Sequence, residues 1–560
     1  MMYYPTFDEI RQLREVEMTE RSQGTTPTMD GKKKQGIPLL PLCCDILADF
    51  ETPVSAYCKL AHGSPCPYSF LLESVTGGER IGRYSFIGID PYMVITHQGE
   101  TATVYSIKDT LWSDSAGRHT SRTNEEDTQA PIGKEIPCHD PLHLIEAELE
   151  QYRLVTLDPF LVDVSKGERS DELPRFHGGA VGYLSYETAS RFEHLPVPAN
   201  NELGLPLAVF CFTETVLVFD HVKHRARIVT HLHLDAPDLE SEYQRGRDIL
   251  DCIQKRLQQP VRLQDRTITR VAPTMDNTAA LQVTSNRTQS EFEEMVRRSI
   301  AYIRAGDVFQ VVPSQRLSRC INTEPFTVYR ALRTINPSPY MFYLDMHDFQ
   351  IVGASPELLV RYEDQEVTIR PIAGTRPRGA DKESDEHLAK ELQNDPKECA
   401  EHVMLVDLAR NDVGRVSEPG SIQVSEYMEI ERYSHVMHLV SNITGQLRED
   451  LTPYDALRAG FPAGTVSGAP KIRAMEIISE LEGEQRGVYA GAVGYFSHSG
   501  NQETAIALRT MVIKDGRAYI QAGCGVVADS DPAAEYQESL NKARALLRAL
   551  DEAELIAGAQ

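Results

Sequence analysis

Successive runs of β-branched and aromatic residues constrain the fold of this chain more than any other feature. The clearest runs lie at 179–187, 208–220, 308–317, 349–355, 358–363 and 366–375. Residues of these types favour strands, and turn-forming residues separate the runs. Helical periodicity lies between and after them, so the pattern predicts an α+β fold with large antiparallel sheets.

One helix can be predicted in detail, from Ser290 to just before Gly306. Its apolar residues fall on one face of a 3.6-residue period. They are Phe292, Met295, Val296, Ile300 and Ile303. Ser290 and Glu293 fit a capping box at the start of the helix, and Gly306 is a typical C-terminal stop.

The charge and cysteine pattern exclude several classes of protein. The 560 residues carry a net charge of −25, which repels phosphate backbones, so we expect no nucleic-acid partner. A small anionic substrate is still compatible, because a local cluster of Arg, Lys and backbone N–H groups can attract it. The ten cysteines form no C-x-x-C pair, and no apolar run approaches the ~18 residues that span a bilayer. We therefore predict a cytoplasmic protein with reduced thiols and no membrane contact.

Polar stretches suggest a division of the chain. Residues 1–45 are interpreted as a polar N-terminal extension, and the stretch near 113–140 as a mobile insertion. Another polar stretch, near 260–288, is the best boundary between an N-terminal domain at 46–285 and a C-terminal domain at 286–555. The length also allows one large interleaved domain.

Two helix starts match each other and carry paired carboxylates. Each begins with Asp-Pro, at 395–396 and 531–532, where Asp caps the helix and Pro fits its first turn. Each then has two glutamates three residues apart, on one side of the helix. They are Glu398 and Glu401, and Glu535 and Glu538. Four converging carboxylates would need a cation, and Mg²⁺ prefers oxygen ligands. For either helix alone, a solvated charged face is the more common explanation.

Glycine-rich turns form a second group of candidates, at 371–379, 462–471 and 521–527. Glycine lets backbone N–H groups approach an anion closely. For each segment alone, a simple tight turn is the more common explanation. None of the three has the spacing of a nucleotide-binding loop.

Three polar side chains stand in otherwise apolar segments. Arg509 could bind a carboxylate through two hydrogen bonds, and Glu357 could act as a general acid if burial raised its pKa. His438 could be an acid or a base, although a lone histidine is more often a hydrogen-bonded structural residue. Together these residues favour an enzyme with a Mg²⁺–carboxylate cleft and an anionic substrate.

Long motifs in the second half of the chain resemble those of the chorismate-utilising enzymes, and most closely component I of anthranilate synthase. In order they are GDVFQVVPSQR, RPIAGTRPRG, ARNDVGRV, FPAGTVSGAPK, IALRT and AGCGVVADSDPAAEYQESLNKA. The resemblance is strong over 290–550 and weaker in the first half, through LLES (71–74) and GGAVGYLSYE (178–187). It implies a large two-sheet antiparallel β sandwich flanked by helices, with chorismate as the substrate.

The same resemblance implies the binding residues. Glu401 and Glu538 would hold Mg²⁺ directly, with Glu398 and Glu535 supporting it through water, and the metal would hold the ring carboxylate of chorismate. The other substrate-binding residues would be Gly374, Thr375, Tyr489, Arg509, Gly523, Gly525 and Lys542.

Catalytic roles also follow from the resemblance. Glu357 would protonate the departing C4 hydroxyl while ammonia attacks C2, with Thr465 in the same pocket, and His438 would assist the loss of pyruvate. Gln310 stands where isochorismate and salicylate synthases resembling this chain carry Lys, and Ala373 where aminodeoxychorismate synthases typically carry Lys. Both positions favour anthranilate synthase. Component I of aminodeoxychorismate synthase is the alternative enzyme, and a catalytically silent binding protein is the alternative from another class.

Two further partners are implied. The chain has no G-x-C-x-G nucleophile turn, so ammonia would come from a separate glutamine amidotransferase subunit, component II. L-Tryptophan would act as a feedback inhibitor at a site with seven expected residues. They are Glu73, Ser74, Asn336, Pro337, Ser338, Tyr340 and Met341. A structural loop with two prolines is the alternative for the second of these segments, and Asn442 stands where many bacterial relatives have Arg.

Overall fold

The structure is a computed structural model that describes residues 3–23, 36–61, 64–75, 82–107, 133–155, 173–261, 282–433 and 436–559. Most of the predicted insertion at 113–140 lies outside these ranges, as does most of the predicted boundary at 260–288. Within the described ranges, no helix is both long enough and apolar enough to cross a membrane.

The described residues form twelve α-helices and one 3₁₀ segment at Tyr186–Arg191. The helices are α1 (Phe7–Gln23), α2 (Pro53–Ala61), α3 (Pro141–Leu149), α4 (Leu239–Leu257), α5 (Gln289–Ala305), α6 (Pro325–Ile335), α7 (Lys382–Asn394), α8 (Pro396–Gly414), α9 (Pro453–Gly460), α10 (Gly464–Ser467), α11 (Lys471–Glu482) and α12 (Pro532–Ala559). Aspartates cap many of them: the side chains of Asp140, Asp238, Asp381 and Asp395 each accept a backbone N–H of the following first turn.

Strands make up most of the rest of the described chain. They are β1 (Tyr3–Tyr4), β2 (Ile37–Leu47), β3 (Tyr68–Glu73), β4 (Tyr84–Ile89), β5 (Met93–Gln98), β6 (Thr101–Ser106), β7 (Gly133–Pro137), β8 (Tyr152–Leu154), β9 (Gly179–Leu184), β10 (Ala208–Thr213), β11 (Val216–Asp220), β12 (Arg225–His233), β13 (Thr284–Ser285), β14 (Gln310–Val311), β15 (Ser314–Cys320), β16 (Tyr340–Met346), β17 (Phe349–Ser355), β18 (Leu358–Glu363), β19 (Glu366–Ile369), β20 (Ile372–Pro377), β21 (Gln423–Arg432), β22 (Val436–Gln446), β23 (Gly468–Ala469), β24 (Ala492–Ser497), β25 (Gln502–Ile506), β26 (Thr510–Lys514) and β27 (Arg517–Gly523).

Two large sheets contain nearly all of these strands. The first has the order β1-β2-β12-β11-β4-β3-β16-β17-β26-β27-β15-β13, with β8 beside β2; the second has the order β20-β22-β19-β18-β25-β24-β9-β10-β5-β6-β7, with β21 beside β22. All pairs are antiparallel except β2 with β8. Each sheet is continuous across the middle of the chain, because β3 pairs with β16 and β9 with β24. This is the interleaved arrangement that the length allowed; the division at 285 stays a prediction.

Side-chain alternation along the strands builds a four-layer structure of helices, sheet, sheet and helices. On β10, Phe210 and Phe212 belong to the cluster under the helices, while Val209 and Cys211 lie in the cluster between the sheets. A period of two residues therefore assigns the two faces of a strand to different layers. The predicted α+β fold with a two-sheet antiparallel sandwich and flanking helices is confirmed.

The stretch predicted to be a polar extension, 1–45, contributes to the sandwich. Strand β2 pairs with β1 and β12, and Ile10 and Leu13 of α1 are buried in the outer core of the first sheet. Full burial of one such aliphatic side chain contributes about 1.5–3 kcal/mol. Helix α1 is polar on its other side, and for this reason composition alone does not reveal its packing.

The start of α5 differs from the predicted one. Thr288 is the N-cap, and its partner in the capping box is Glu291, so the predicted pair of Ser290 and Glu293 is wrong by two residues. Both pairs have the Ser/Thr-x-x-Glu spacing, and sequence alone does not choose between them. The predicted end is confirmed, since Gly306 adopts a left-handed conformation with φ of 87°.

Candidate active site and interlayer cavity

A buried carboxyl group lies in the connection between β17 and β18. Glu357 is only 5% exposed, and burial raises its pKa from 4.5 to about 8. The Thr465 hydroxyl donates to Glu357 Oε2 over 3.1 Å, and the Ile372 backbone N–H also donates to this carboxyl group; both oppose the rise. At neutral pH the group is therefore mainly protonated, the state that a general acid needs.

His438 lies on β22, where its ring is buried. Burial lowers the pKa of His438 to about 4, so the ring is neutral at physiological pH. Its Nδ1 atom is 2.8 Å from the carbonyl oxygen of Gly374 and 3.1 Å from the hydroxyl of Thr375. A carbonyl only accepts hydrogen bonds, so Nδ1 carries the proton and Nε2 presents a lone pair that can act as a base.

Arg509 lies in a short turn between β25 and β26. Its backbone is left-handed, with φ of 47°, an uncommon conformation for a residue with a side chain. Burial lowers the pKa of its guanidinium, and no described carboxylate forms an ion pair with it. A buried cation without an anionic partner is costly, so this position suits the carboxylate of a ligand.

A second wall of the site is built from the end of β27 and from α12. The Lys542 ammonium donates to the carbonyl of Gly523 over 3.1 Å and pairs with Glu538 at 2.8 Å. A Cβ atom on Gly523 would lie 2.5 Å from a backbone oxygen and 3.1 Å from the Tyr489 hydroxyl, so this strand end has room only for glycine. A Cβ atom on Gly525 would lie 2.7 Å from Gln310 Nε2.

The four glutamates are near one another, but each has its own protein contacts. Glu401 Oε1 accepts from Gln310 Nε2 at 2.9 Å. Glu398 Oε1 accepts from an arginine at 3.2 Å, and Glu535 Oε1 accepts from a serine at 2.7 Å. Burial raises the pKa of Glu401, and the negative charges of Glu398 and Glu538 raise it further. The two helices therefore bring four carboxyl groups together, and two of them, Glu398 and Glu538, pair with basic side chains.

The donor set fits a hard cation. Glu535 Oε2 is buried and has no hydrogen-bond partner, and burial together with Glu538 raises the pKa of this carboxyl group. A bound cation would offset both effects. In the described residues, no three His, Cys, Asp or Glu side chains are already arranged as the ligands of one metal ion. Metal binding would thus require carboxylates to exchange their present contacts for the ion.

Contacts join the two walls into one site. A Cβ atom on Gly374, the glycine whose carbonyl binds His438, would lie 3.1 Å from Glu398 Oε2. Between α8 and α12, the charge of Glu538 raises the pKa of Glu401 and the charge of Lys542 lowers it. The region around His438 is therefore continuous with the carboxylates and Lys542.

A buried arginine under this region was missed by sequence reasoning. Arg486 is 2% exposed, and its guanidinium donates twice to Glu482, at 2.6 and 2.9 Å. It also donates to the carbonyls of Val312 and Val466, at 2.6 and 2.9 Å, and stacks near the ring of Tyr489. It thereby holds together three segments that carry site residues. The i,i+4 spacing of Glu482 and Arg486 was the only available signal, and it is common on solvated helices.

A cavity of about 1070 Å³ lies between the two sheets. Four of the seven predicted tryptophan-site residues line it: Glu73, Ser74, Tyr340 and Met341. The carboxylate of Glu73, however, turns towards α6, where Tyr329 and Arg333 bind it. The other three, Asn336, Pro337 and Ser338, are not among the residues that line the cavity. The Ser338 carbonyl accepts from the backbone N–H of Val75 at 3.3 Å. The two predicted segments are thus neighbours, although not every residue faces the cavity.

Comparison with known proteins places the chain in a family. Residues 133–548 match the family model described as chorismate binding enzyme. The chain is 46% identical to anthranilate synthase component 1 of Pseudomonas putida, covering 93% of this chain and 97% of that protein. It is 42% identical to the protein of the same name from Acetivibrio thermocellus, covering 99% of each. The crystal structure of anthranilate synthase component I from Streptococcus pneumoniae has a TM-score of 0.67 and 36% identity, covering 90% of this chain and 99% of that one. The chain therefore belongs to the chorismate-binding enzymes and, within them, to the family of anthranilate synthase component 1.

Proposed function

We propose that this chain is the chorismate-converting subunit of an anthranilate synthase. It is a cytoplasmic lyase that makes anthranilate and pyruvate from chorismate and ammonia, the first committed step of tryptophan biosynthesis. One observation carries the proposal: Glu357, a carboxyl group with a pKa of about 8, accompanies the neutral ring of His438 and the guanidinium of Arg509, which pairs with no described carboxylate. An acid, an anion site and a base are the groups that this reaction needs.

The proposed chemistry assigns each group one task. Arg509 and Lys542 hold carboxylate charge of the substrate. Glu357 gives its proton to the departing C4 hydroxyl as ammonia attacks C2, so water leaves instead of hydroxide. The Nε2 lone pair of His438 then accepts a proton as pyruvate is lost and the ring becomes aromatic. Thr465 keeps the Glu357 carboxyl group in one orientation through its hydrogen bond.

Magnesium is the proposed cofactor. Glu401 and Glu538 would hold it directly, with Glu398 and Glu535 supporting it through water. When bound, it would neutralise and orient the ring carboxylate of chorismate. Calorimetric titration of Mg²⁺ into the protein tests this without an activity assay. Glu401→Gln should weaken binding by about tenfold or more, whereas Glu449→Gln, an exposed residue, should not; equal affinities in the two variants would refute the assignment.

The proposed ammonia source is a glutamine amidotransferase subunit. The relatives are named component 1, a name that implies a second component. The proposed regulator is L-tryptophan, bound in the interlayer cavity beside Ser74, Tyr340 and Met341. Its size and zwitterionic character suit a cavity lined by aromatic rings and charged residues of both signs.

A fluorescence assay of the purified chain tests the function. Chorismate, Mg²⁺ and a high ammonium concentration at alkaline pH should give the blue fluorescence of anthranilate, and glutamine in place of ammonium should give none. Aminodeoxychorismate synthase would instead give a 4-amino product. Ala373, which is buried on β20, offers no nucleophile for that alternative. Unconsumed chorismate would indicate the silent binding protein.

A further inference from the structure

Three charged side chains on the wall of the interlayer cavity form one hydrogen-bonded group. Arg370 Nη2 donates to Glu431 Oε1 at 2.6 Å and to Glu426 Oε2 at 2.9 Å. All three line the cavity, and all three side chains are less than a third exposed. One guanidinium therefore serves two carboxylates, and an additional anion in the cavity would compete with them for it.

Glu431 has a second contact, on the active-site side. Its Oε2 atom accepts the hydroxyl of Tyr433 at 2.7 Å. The ring of Tyr433 meets the ring of His438 edge to face, with centroids 5.6 Å apart. Glu431 is also the register partner of His438 on the neighbouring strand. A single carboxylate thus contacts the cavity through one oxygen and the surroundings of the proposed base through the other.

The backbone that follows Arg370 contacts the proposed acid and the proposed base. Two residues later, the Ile372 N–H donates to the Glu357 carboxyl group, and two residues beyond that, the Gly374 carbonyl accepts from His438. This five-residue segment, 370–374, therefore has one end at the cavity and holds both the proposed acid and the proposed base.

We propose that Glu431 and Tyr433 are positioning residues that couple a ligand in the cavity to the catalytic groups. The inference rests on the proposed function and adds the route of its regulation. The ligand is an amino-acid zwitterion, whose carboxylate binds Arg370 and displaces Glu431 from its hydrogen bond with this guanidinium. Freed from the guanidinium, Glu431 is held by Tyr433 alone, and the Tyr433 ring moves with it against His438.

Binding linkage tests this route without turnover, because chorismate lacks its nucleophile in ammonium-free buffer. The affinity of tryptophan is measured by calorimetry with Mg²⁺ present, with and without chorismate. For the wild-type chain the two affinities should differ by about fivefold or more, the usual range for coupled sites. In Tyr433→Phe, which keeps the ring and loses the hydroxyl, the ratio should fall to within about twofold of one, while tryptophan still binds. Glu431→Gln should do the same.

Glu429→Gln is the matched control, because Glu429 is exposed on the same strand as Glu431. It removes the same charge and should keep the wild-type ratio. A wild-type ratio in Tyr433→Phe would overturn the proposal, and so would a ratio of one in the wild-type chain. Failure of the proposed function is a separate result, since it would show as absence of anthranilate when ammonium is supplied to the wild-type chain.

Discussion

Replacing Glu357 with Gln should abolish turnover and, at the same time, stabilise the fold in a pH-dependent way. Glu357 has a pKa of about 8 in the folded chain, against 4.5 for an unperturbed glutamate. The folded state therefore holds a proton that the unfolded chain loses, so the contribution of Glu357 to stability is full below pH 4.5 and is lost as the pH rises through 8. At about 1.4 kcal/mol per pKa unit, the free energy of unfolding of the wild-type chain falls by about 5 kcal/mol across this pH window.

The glutamine in Glu357→Gln has no proton to lose. The free energy of unfolding of this variant, relative to the wild-type chain, should therefore rise by about 3 kcal/mol between pH 6 and pH 9. Urea titrations of both proteins at the two pH values measure it. The change of side chain also alters hydrogen bonds to Thr465 and Ile372, but that contribution is the same at both pH values and cancels in the difference. Glu449→Gln, at an exposed position, should show no such growth. If the difference in free energy of unfolding between Glu357→Gln and the wild-type chain is the same at pH 6 and pH 9, the claim that Glu357 is a buried, protonated acid is refuted.

Three further substitutions test other parts of the site. Arg509→Met should raise the KM for chorismate by about 30-fold or more in a steady-state assay with ammonium, because a buried charge pair with the substrate is worth about 2–5 kcal/mol; an unchanged KM would remove Arg509 from the binding site. Arg486→Met should lower the free energy of unfolding by about 3–5 kcal/mol in a urea titration, since it leaves the buried Glu482 carboxylate unpaired, and a loss under 1 kcal/mol would contradict this. Ser74→Phe should fill part of the cavity and raise the inhibition constant of tryptophan by about tenfold or more, with kcat unchanged; unchanged inhibition would place the effector elsewhere.

Local features of the fold were accessible from sequence because they depend on few residues. The caps at Asp395 and Gly306 follow from the chemistry of one side chain and one backbone conformation. The pairing of glutamates on α8 and α12 follows from the helical period. The raised pKa of Glu357 was predicted conditionally, since burial decides it and only the structure shows that burial.

Features that depend on distant segments were not accessible. The run at 208–220 has one composition throughout, but β10 belongs to one sheet and β11 to the other. Glu73 was expected to face a ligand, yet the alternation along β3 turns its carboxylate to α6. There it accepts hydrogen bonds from Tyr329 and Arg333, which lie 256 and 260 residues later in the chain. No local pattern encodes which layer a strand face meets.

Tyr433 and Arg486 show the same limit at the site itself. Tyr433 follows β21 in a segment without a recognisable pattern, and its importance comes from Glu431 and His438 on either side of it. Arg486 depends on carbonyls of two segments that lie 174 and 20 residues before it. The sequence around Tyr433 carries no signal for its role, and the sequence around Arg486 carries only the common i,i+4 spacing to Glu482.

The most direct test of the central claim is the fate of labelled ammonia. The purified chain is supplied with chorismate, Mg²⁺ and ¹⁵N-ammonium, and the products are identified by NMR. We predict ¹⁵N-anthranilate, with nitrogen at the carbon next to the ring carboxylate, and one pyruvate for each anthranilate. A product labelled at C4, or chorismate that persists unchanged, would contradict the account.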